Sequence, residues 1–266
     1  MQLCATLDLD ANLDNAERLM RRAVDLGAEL VLVPEFFCLI GGLDKKVAIA
    51  EELDGAPPGP ILERMQTLAR DLATPLVIGS MPTTADQPGR CHNTTVVLDR
   101  DGSILETYDK IHLFDVDIPG GATFCESKYV VAGRRVVIAE VAGLRLGLSI
   151  CYDLRFPELY RELARRGADV LLVPAAFTLH TGKDHWLTLL RARAIENQAF
   201  VLAANQGGRH NKNRVSYGKS CIIDPWGAVI AQVSEGDGVA VAELDLAYLR
   251  QIRRELPALT HRQLER

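Results

Sequence analysis

Along this chain apolar residues recur with two periods, and the switches between them mark the elements. Leu144 to Ile150 alternates apolar with polar or small residues, the two-residue period of a strand. Leu30-Val31-Leu32-Val33 is continuously apolar, as in a strand covered on both faces, and stops at Pro34-Glu35. Leu3 to Leu9 and Pro75 to Gly79 also read as strands. Thr94 to Asp99 and Ile104 to Tyr108 read as two more, joined through Asp99-Arg100-Asp101-Gly102. Helical spacing covers Leu13 to Ala28, with Leu19, Val24 and Leu26 among charges, and Ile61 to Leu72. Pro157 opens a further helix with Leu159, Tyr160 and Leu163 behind it. Asp184 to Asn197 is helical with apolar residues on more than one face, among them Trp186, Leu189, Leu190 and Ile195; core packing accounts for part of these and a subunit interface for the rest.

The pattern repeats. Gly27-Ala28-Glu29-Leu30-Val31-Leu32-Val33-Pro34 is echoed by Gly167-Ala168-Asp169-Val170-Leu171-Leu172-Val173-Pro174, and the turn around Asp101-Gly102 by the one around Trp226-Gly227. Each half thus reads as alternating strands and helices ending in a hairpin. Alternation calls for parallel pairing under helical cover, and the hairpins add antiparallel strands, so an α/β fold with mixed sheets is expected. Two such sheets stacked face to face give a four-layer αββα sandwich with a pseudo-twofold repeat; one sheet covered on both faces satisfies the same pattern.

Composition narrows the class. The chain has 266 residues, 48% hydrophobic and 24% charged, with a net charge of -5. No linker interrupts it, so residues 1–266 are expected to form one domain. The negative charge gives no reason to expect nucleic acid or an anionic membrane as partner. No apolar run approaches the ~20 residues that span a bilayer, and the strand-like pattern begins at once, so a cytoplasmic location is expected. Six cysteines (Cys4, Cys38, Cys91, Cys125, Cys151, Cys221) lack CxxC or Cys/His ligand spacing, which suggests reduced thiols, no metal site and no cofactor.

Two polar, glycine-containing stretches read as long loops, which are commonly functional. Phe114 to Gly133 holds Pro119-Gly120-Gly121 and Cys125-Glu126-Ser127. Asn205 to Tyr217 holds Gly207-Gly208, Arg209, His210, Lys212 and Arg214, a cluster that suits either a solvated surface or anion binding, with Arg209 or Arg214 the candidates for reading a substrate carboxylate.

Three side chains fall just beyond predicted strands: Glu35, Lys110 and Cys151. A cysteine at a strand-to-helix turn faces a helix N-terminus, which favours thiolate. Glu35 could take a thiol proton, and Lys110 with the Tyr152 N–H could hold the oxyanion of an attacked amide. One Glu, one Lys and one Cys at strand ends remain a weak signal on their own.

Greater specificity comes from a resemblance. Val33-Pro34-Glu35-Phe36-Phe37, Tyr108-Asp109-Lys110-Ile111-His112-Leu113 and Ile150-Cys151-Tyr152-Asp153-Leu154-Arg155-Phe156-Pro157-Glu158 resemble, in this order, the three signatures of the nitrilase superfamily of carbon-nitrogen hydrolases, and the likeness covers essentially the whole chain. It implies an αββα sandwich, Cys151 as nucleophile, Glu35 as general base, Lys110 as oxyanion-stabilising lysine, and Glu126 as a positioner of substrate or lysine. It also implies a homodimer or larger assembly through the helix after the cysteine and the Trp186 helix. Leu190 to Gln198, Ala204 to His210 and Ser216 to Ser220 are similar to the deaminated-glutathione amidase branch. The expected activity is therefore an amidase forming a thioester and releasing ammonia from a small carboxylate-bearing amide, with deaminated glutathione the expected substrate. An ω-amidase acting on α-ketoglutaramate, another carbon-nitrogen hydrolase such as an N-carbamoyl hydrolase or nitrilase, and an inactive scaffold are the alternatives. Phe37-Cys38-Leu39-Ile40-Gly41-Gly42 departs from the eukaryotic members, which bears on the substrate pocket more than on the reaction.

Overall fold

A computed structural model describes residues 1–117 and 123–264. Pro119-Gly120-Gly121 lies outside the described residues. Helix α1 (Leu9–Asp25) begins where the Asp8 carboxylate accepts the Ala11 N–H, and it buries the stripe Leu13, Ala16, Leu19, Met20 and Ala23. β1 (Val31–Leu32) follows, then the short α2 (Leu43–Ala48) and α3 (Pro60–Leu72), whose proline occupies the first turn, where no N–H is needed. β2 (Leu76–Thr84), β3 (Cys91–Leu98) and β4 (Ile104–Asp109) complete a sheet in the order β1-β2-β3-β4. β1 and β2 are parallel, with Leu32 opposite Val77; the other pairs are antiparallel.

β5 (Asp115–Asp117) and β6 (Thr123–Cys125) form a small antiparallel pair, so the first expected loop carries a short hairpin of its own. The second half supplies β7 (Ile138–Val141), β8 (Leu144–Leu148), α4 (Pro157–Arg165), β9 (Val170–Ala175), α5 (Leu179–Asn197), β10 (Phe200–Asn205), β11 (Gly207–Arg209), β12 (Val215–Tyr217), β13 (Cys221–Ile223), β14 (Val229–Gln232) and α6 (Leu246–Glu255). Six of these strands make one sheet in the order β14-β13-β10-β9-β8-β7. The parallel pair β9/β10 followed by antiparallel β13 and β14 reproduces β1/β2 followed by β3 and β4, so the repeat in the sequence is a repeat in topology. β11 and β12 pair with each other across Gly208 and Ser216, a hairpin where a loop was expected.

Alternation along the strands builds the layers. Val31, Val33, Leu76, Ile78, Val96 and Leu98 pack with the buried faces of α1 and α3, whereas the intervening Leu32, Val77 and Val97 join the core of the second sheet. That sheet's other face is covered by α4 and α5 through Leu159, Leu163, Trp186 and Leu190. The result is an αββα sandwich. Gly79 marks the closest approach: a Cβ there would lie 1.6 Å from the Val33 carbonyl oxygen and 2.6 Å from Pro174 Cβ, so no larger residue fits.

One expected strand is absent. Leu3 to Leu9 makes only isolated bridges, at Gln2 and Leu3, before Asp8 caps α1. Side chains take the place of a strand partner: Gln206 Oε1 accepts the Ala5 N–H at 3.0 Å, Asp237 Oδ1 accepts that of Cys4 at 2.9 Å, and Asn12 Oδ1 that of Thr6 at 2.8 Å.

Candidate active site

The ends of β1 and β4 and the turn after β8 meet at one end of the sandwich. Glu35 follows Pro34 directly, and Phe36 beyond it adopts φ 49°, with its N–H donating to Ser80 Oγ on β2 at 3.0 Å. Gln206 from the second half donates to the Glu35 carbonyl at 3.1 Å. The residue carrying the carboxylate is thus fixed from both sheets. The residue is 3% exposed; its Oε1 accepts from Lys110 Nζ at 3.0 Å and Asn93 Nδ2 at 2.9 Å, and its Oε2 from the Ala176 N–H at 2.8 Å.

Lys110 stands just past β4, its N–H donating to the Asn93 carbonyl and its own carbonyl accepting the Gly133 N–H. Nζ donates to Glu126 Oε2 at 2.8 Å as well as to Glu35. Glu126, in the 3₁₀ turn after β6, also accepts the Phe114 N–H at 2.7 Å and Asn93 Nδ2 at 3.2 Å. One buried ammonium therefore bridges two buried carboxylates, and Asn93 ties the carboxylates to each other.

Cys151 has φ 49°, a left-handed conformation that is strained for a residue with a Cβ. It opens a 3₁₀ turn, Cys151–Arg155, and α4 starts only at Pro157. Asp153, fully buried, holds this elbow. Its Oδ2 accepts the Ile150 N–H at 2.9 Å and the Tyr108 hydroxyl at 2.7 Å, and its Oδ1 accepts the His112 N–H at 2.9 Å and the ring Nδ1–H at 2.7 Å. The carboxylate thereby ties the end of β4, and so Lys110, to the cysteine turn. His112 is further fixed by stacking on Phe156 at 3.7 Å between ring centroids.

Charge follows from burial. The Cys151 thiol lies beside the Glu35 carboxylate; burial first, and the Glu35 charge second, push its pKa well up. The thiolate expected from a facing helix end is therefore not the resting form, because burial and a neighbouring anion outweigh a helix that begins further along the chain. Burial would raise the Glu35 carboxyl too, but the Lys110 charge, aided by Lys46, holds it down at about 2. Burial alone would lower the Lys110 ammonium, whereas Glu126 and Glu35 together keep it well above its ordinary value. At rest the site is a thiol, a carboxylate and an ammonium.

A cavity of about 460 Å³ opens onto these groups, within the range of small-molecule sites. Its lining includes Glu35, Lys110, Glu126, Cys151 and Tyr152, and also Lys46, Arg155 and Arg214. The structure brings Arg214 to the cavity but not Arg209, which is exposed and donates to the Lys212 carbonyl at 3.3 Å. His210 is buried and structural: Nδ1 bonds to the Ala5 carbonyl at 2.7 Å and Nε2 to Ser216 Oγ at 2.8 Å, while burial depresses its pKa to about 4. Asn93, Asp153 and Lys46 were not singled out by their sequence patterns. Asn93 had one local sign, an amide side chain next to His92 in a strand whose other positions are apolar or threonine.

Comparison with known proteins agrees with this geometry. The carbon-nitrogen hydrolase family model matches residues 1–254, and the chain belongs to that family. The deaminated glutathione amidase of Synechocystis is 44% identical over 98% of this chain and 96% of its own length. The solved NitFhit protein of C. elegans superimposes with a TM-score of 0.89 at 41% identity; the match covers 98% of this chain but 63% of that longer one. A glutamate-to-glutamine mutant of an amidase from Nesterenkonia, 29% identical with a TM-score of 0.78 over 97% of this chain and 93% of its own, was solved with the acetamide moiety of fluoroacetamide added covalently at its active-site cysteine. The chain is thus a hydrolase of carbon-nitrogen bonds with an αββα fold.

Proposed function

We propose that the protein is a cysteine amidase whose substrate is deaminated glutathione. The observation that carries the reading is the joined set of Cys151 thiol, Glu35 carboxylate and Lys110 ammonium at the floor of one cavity. The name of the Synechocystis relative supports the substrate, and the Nesterenkonia adduct supports the nucleophile.

With the thiol protonated and Glu35 ionised at rest, sulfur attacks the amide carbonyl carbon as its proton passes to Glu35. The carbonyl π electrons move onto oxygen, where Lys110 Nζ and the Tyr152 N–H receive them; first-turn N–H groups have no partner within their own turn. Once Lys110 faces an oxyanion, its hold on Glu35 weakens and the carboxylate becomes a better base. Collapse breaks the C–N bond while Glu35 returns the proton to the departing nitrogen, leaving a thioester on Cys151. Water, deprotonated by Glu35, then attacks the thioester, and the thiol regains its proton. Ammonia leaves in this way from an unsubstituted amide, but the nitrogen of deaminated glutathione departs carrying cysteinylglycine, which corrects the product expected above.

Exposed apolar side chains on α5 and the second sheet's outer hairpin, Ile195, Trp226, Val229 and Ile230, support a homo-oligomer joined there. Among the described residues no helix is long and apolar enough to cross a membrane, and a cytoplasmic setting is proposed. The test is a comparison of kcat/KM for deaminated glutathione, followed by release of cysteinylglycine, with that for α-ketoglutaramate, followed by ammonia. Faster turnover of α-ketoglutaramate would move the chain to the ω-amidase alternative.

A further inference from the structure

Lys46 is a charged group of the cavity that takes no direct part in the reaction and that, among the described residues, has no ion-pair partner. It lies on α2, is 1% exposed, and holds Nζ 3.2 Å from the centroid of the Phe36 ring, beside the Glu35 backbone. Among the described residues no hydrogen bond or ion pair to this ammonium is formed; Arg214, Glu35, Glu126 and Lys110 act on it only at a distance. Arg214 comes from the β11/β12 hairpin to line the same cavity, and its Nε is buried without a partner. The two carboxylates of the lining are already taken up by Lys110 and Asn93. Four cations, Lys46, Lys110, Arg155 and Arg214, thus face two anions across the described lining; of these, Arg214 has a buried Nε without a partner and Lys46 has an ammonium without a hydrogen bond or ion pair. Burying an ammonium without an acceptor is costly, and the cost is recovered when an anion enters.

We propose that Lys46 and Arg214 form a clamp for a carboxylate of the substrate, and that this clamp sets the enzyme's preference for anionic over neutral amides. The inference rests on the amidase reading of the site. A carboxylate between an ammonium and a guanidinium satisfies both sets of donors, and the face of the Phe36 ring, 3.2 Å from Lys46 Nζ, holds the ammonium at the cavity wall. Burial, with Arg214 pressing on it, lowers the Lys46 pKa to about 7. The other titratable groups facing it keep one form near neutrality. Lys110 is held charged and Glu35 ionised, burial pushes the Cys38 and Cys91 thiols up to about 12 and about 11, and His210 sits near 4. An entering carboxylate therefore draws a proton onto Lys46 when the pH is above neutrality, and anion binding weakens as pH rises.

The test pairs glutaramate with pentanamide as anionic and neutral amides, and uses glutarate as a non-reacting probe. In Lys46→Met the KM for glutaramate is expected to rise about tenfold or more with kcat changed far less, the pattern of a contact made equally in ground and transition states. The ratio of kcat/KM for glutaramate over pentanamide should fall by a similar factor in Lys46→Met and Arg214→Met and be largely kept in Lys46→Arg. Glutarate binding to wild type, followed by calorimetry, should weaken about tenfold between roughly pH 6 and pH 8.5, with proton uptake, and the dependence should vanish in Lys46→Met. An unchanged preference in Lys46→Met, or pH-independent glutarate binding, would overturn the clamp. Failure of the wild type to hydrolyse any amide would overturn the amidase reading instead, because glutarate binding tests the clamp without turnover.

Discussion

Replacing Glu35 by glutamine keeps the shape of the side chain and removes its charge. Oε1 now accepts from Lys110 and Asn93 at 3.0 and 2.9 Å, and Oε2 accepts the Ala176 N–H at 2.8 Å. A glutamine has one oxygen and one NH2, so whichever way it turns a donor faces a donor, at roughly 1–3 kcal/mol. Lys110 also loses one of its two anions, and breaking a buried ion pair from one side brings the total toward about 3–5 kcal/mol. The pH dependence isolates the charge. Burial works against it, but Lys110 depresses the carboxyl from 4.5 to about 2. A depressed carboxyl contributes stability that is complete above the unfolded value and is lost as pH falls through the folded one. That contribution is about 3 kcal/mol and should disappear between about pH 4.5 and about pH 2. Urea unfolding of both proteins near pH 7, about 4 and about 2.5 should therefore show the gap between wild type and Glu35→Gln narrowing by about that amount in acid. At neutral pH, loss of the general base should lower kcat by about 10²- to 10⁴-fold. A gap that stays constant with pH, or retention of more than about a tenth of kcat, would refute the placement of this charge in the reaction.

Lys110→Met keeps the stem and removes the oxyanion's charge, so kcat should fall about 10²- to 10³-fold; a near-normal rate would remove Lys110 from the mechanism. Mass spectrometry of enzyme quenched during turnover should find the acyl adduct on Cys151, and an adduct confined to another cysteine would reassign the nucleophile. Asp153→Asn leaves an NH2 facing donors such as the Ile150 N–H and the Tyr108 hydroxyl, at roughly 1–3 kcal/mol each. Its expected signature is a lower melting temperature together with slower thiol alkylation at Cys151, and normal values of both would free the elbow from Asp153.

How much of this was legible in the sequence depends on whether a residue's role is set by its own neighbours. The helices were, because Leu13, Ala16, Leu19 and Met20 or Ile61, Met65 and Leu68 announce a buried face by spacing alone, and the repeat was, because each half solves the same burial problem. Leu3 to Leu9 misled because an apolar extended segment has the same pattern whether its N–H groups meet a strand or the side chains of Gln206 and Asp237, which lie two hundred residues away in sequence. The two polar stretches concealed hairpins of three-residue strands, too short to carry a period.

Glu35, Lys110 and Cys151 could be picked out as chemistry-bearing residues at strand ends, but their joint electrostatics could not. A cysteine beside a helix start suggested a thiolate; only the three-dimensional placement shows Glu35 pressing on a buried thiol while Lys110 holds that same carboxylate ionised. This arrangement explains why the turn must be rigid. A proton that moves only as the C–S bond forms requires sulfur, carboxylate and carbonyl carbon to be aligned beforehand, because no free thiolate waits to find its target. Asp153 supplies that alignment by binding the turn and the end of β4 at once, and no local pattern marks it, since its donors come from three separated points of the chain. Lys46 was hidden for the same reason. Asp44-Lys45-Lys46 has the look of a solvated helix face, and Lys46 acquires its meaning only when the β11/β12 hairpin brings Arg214 to the same cavity.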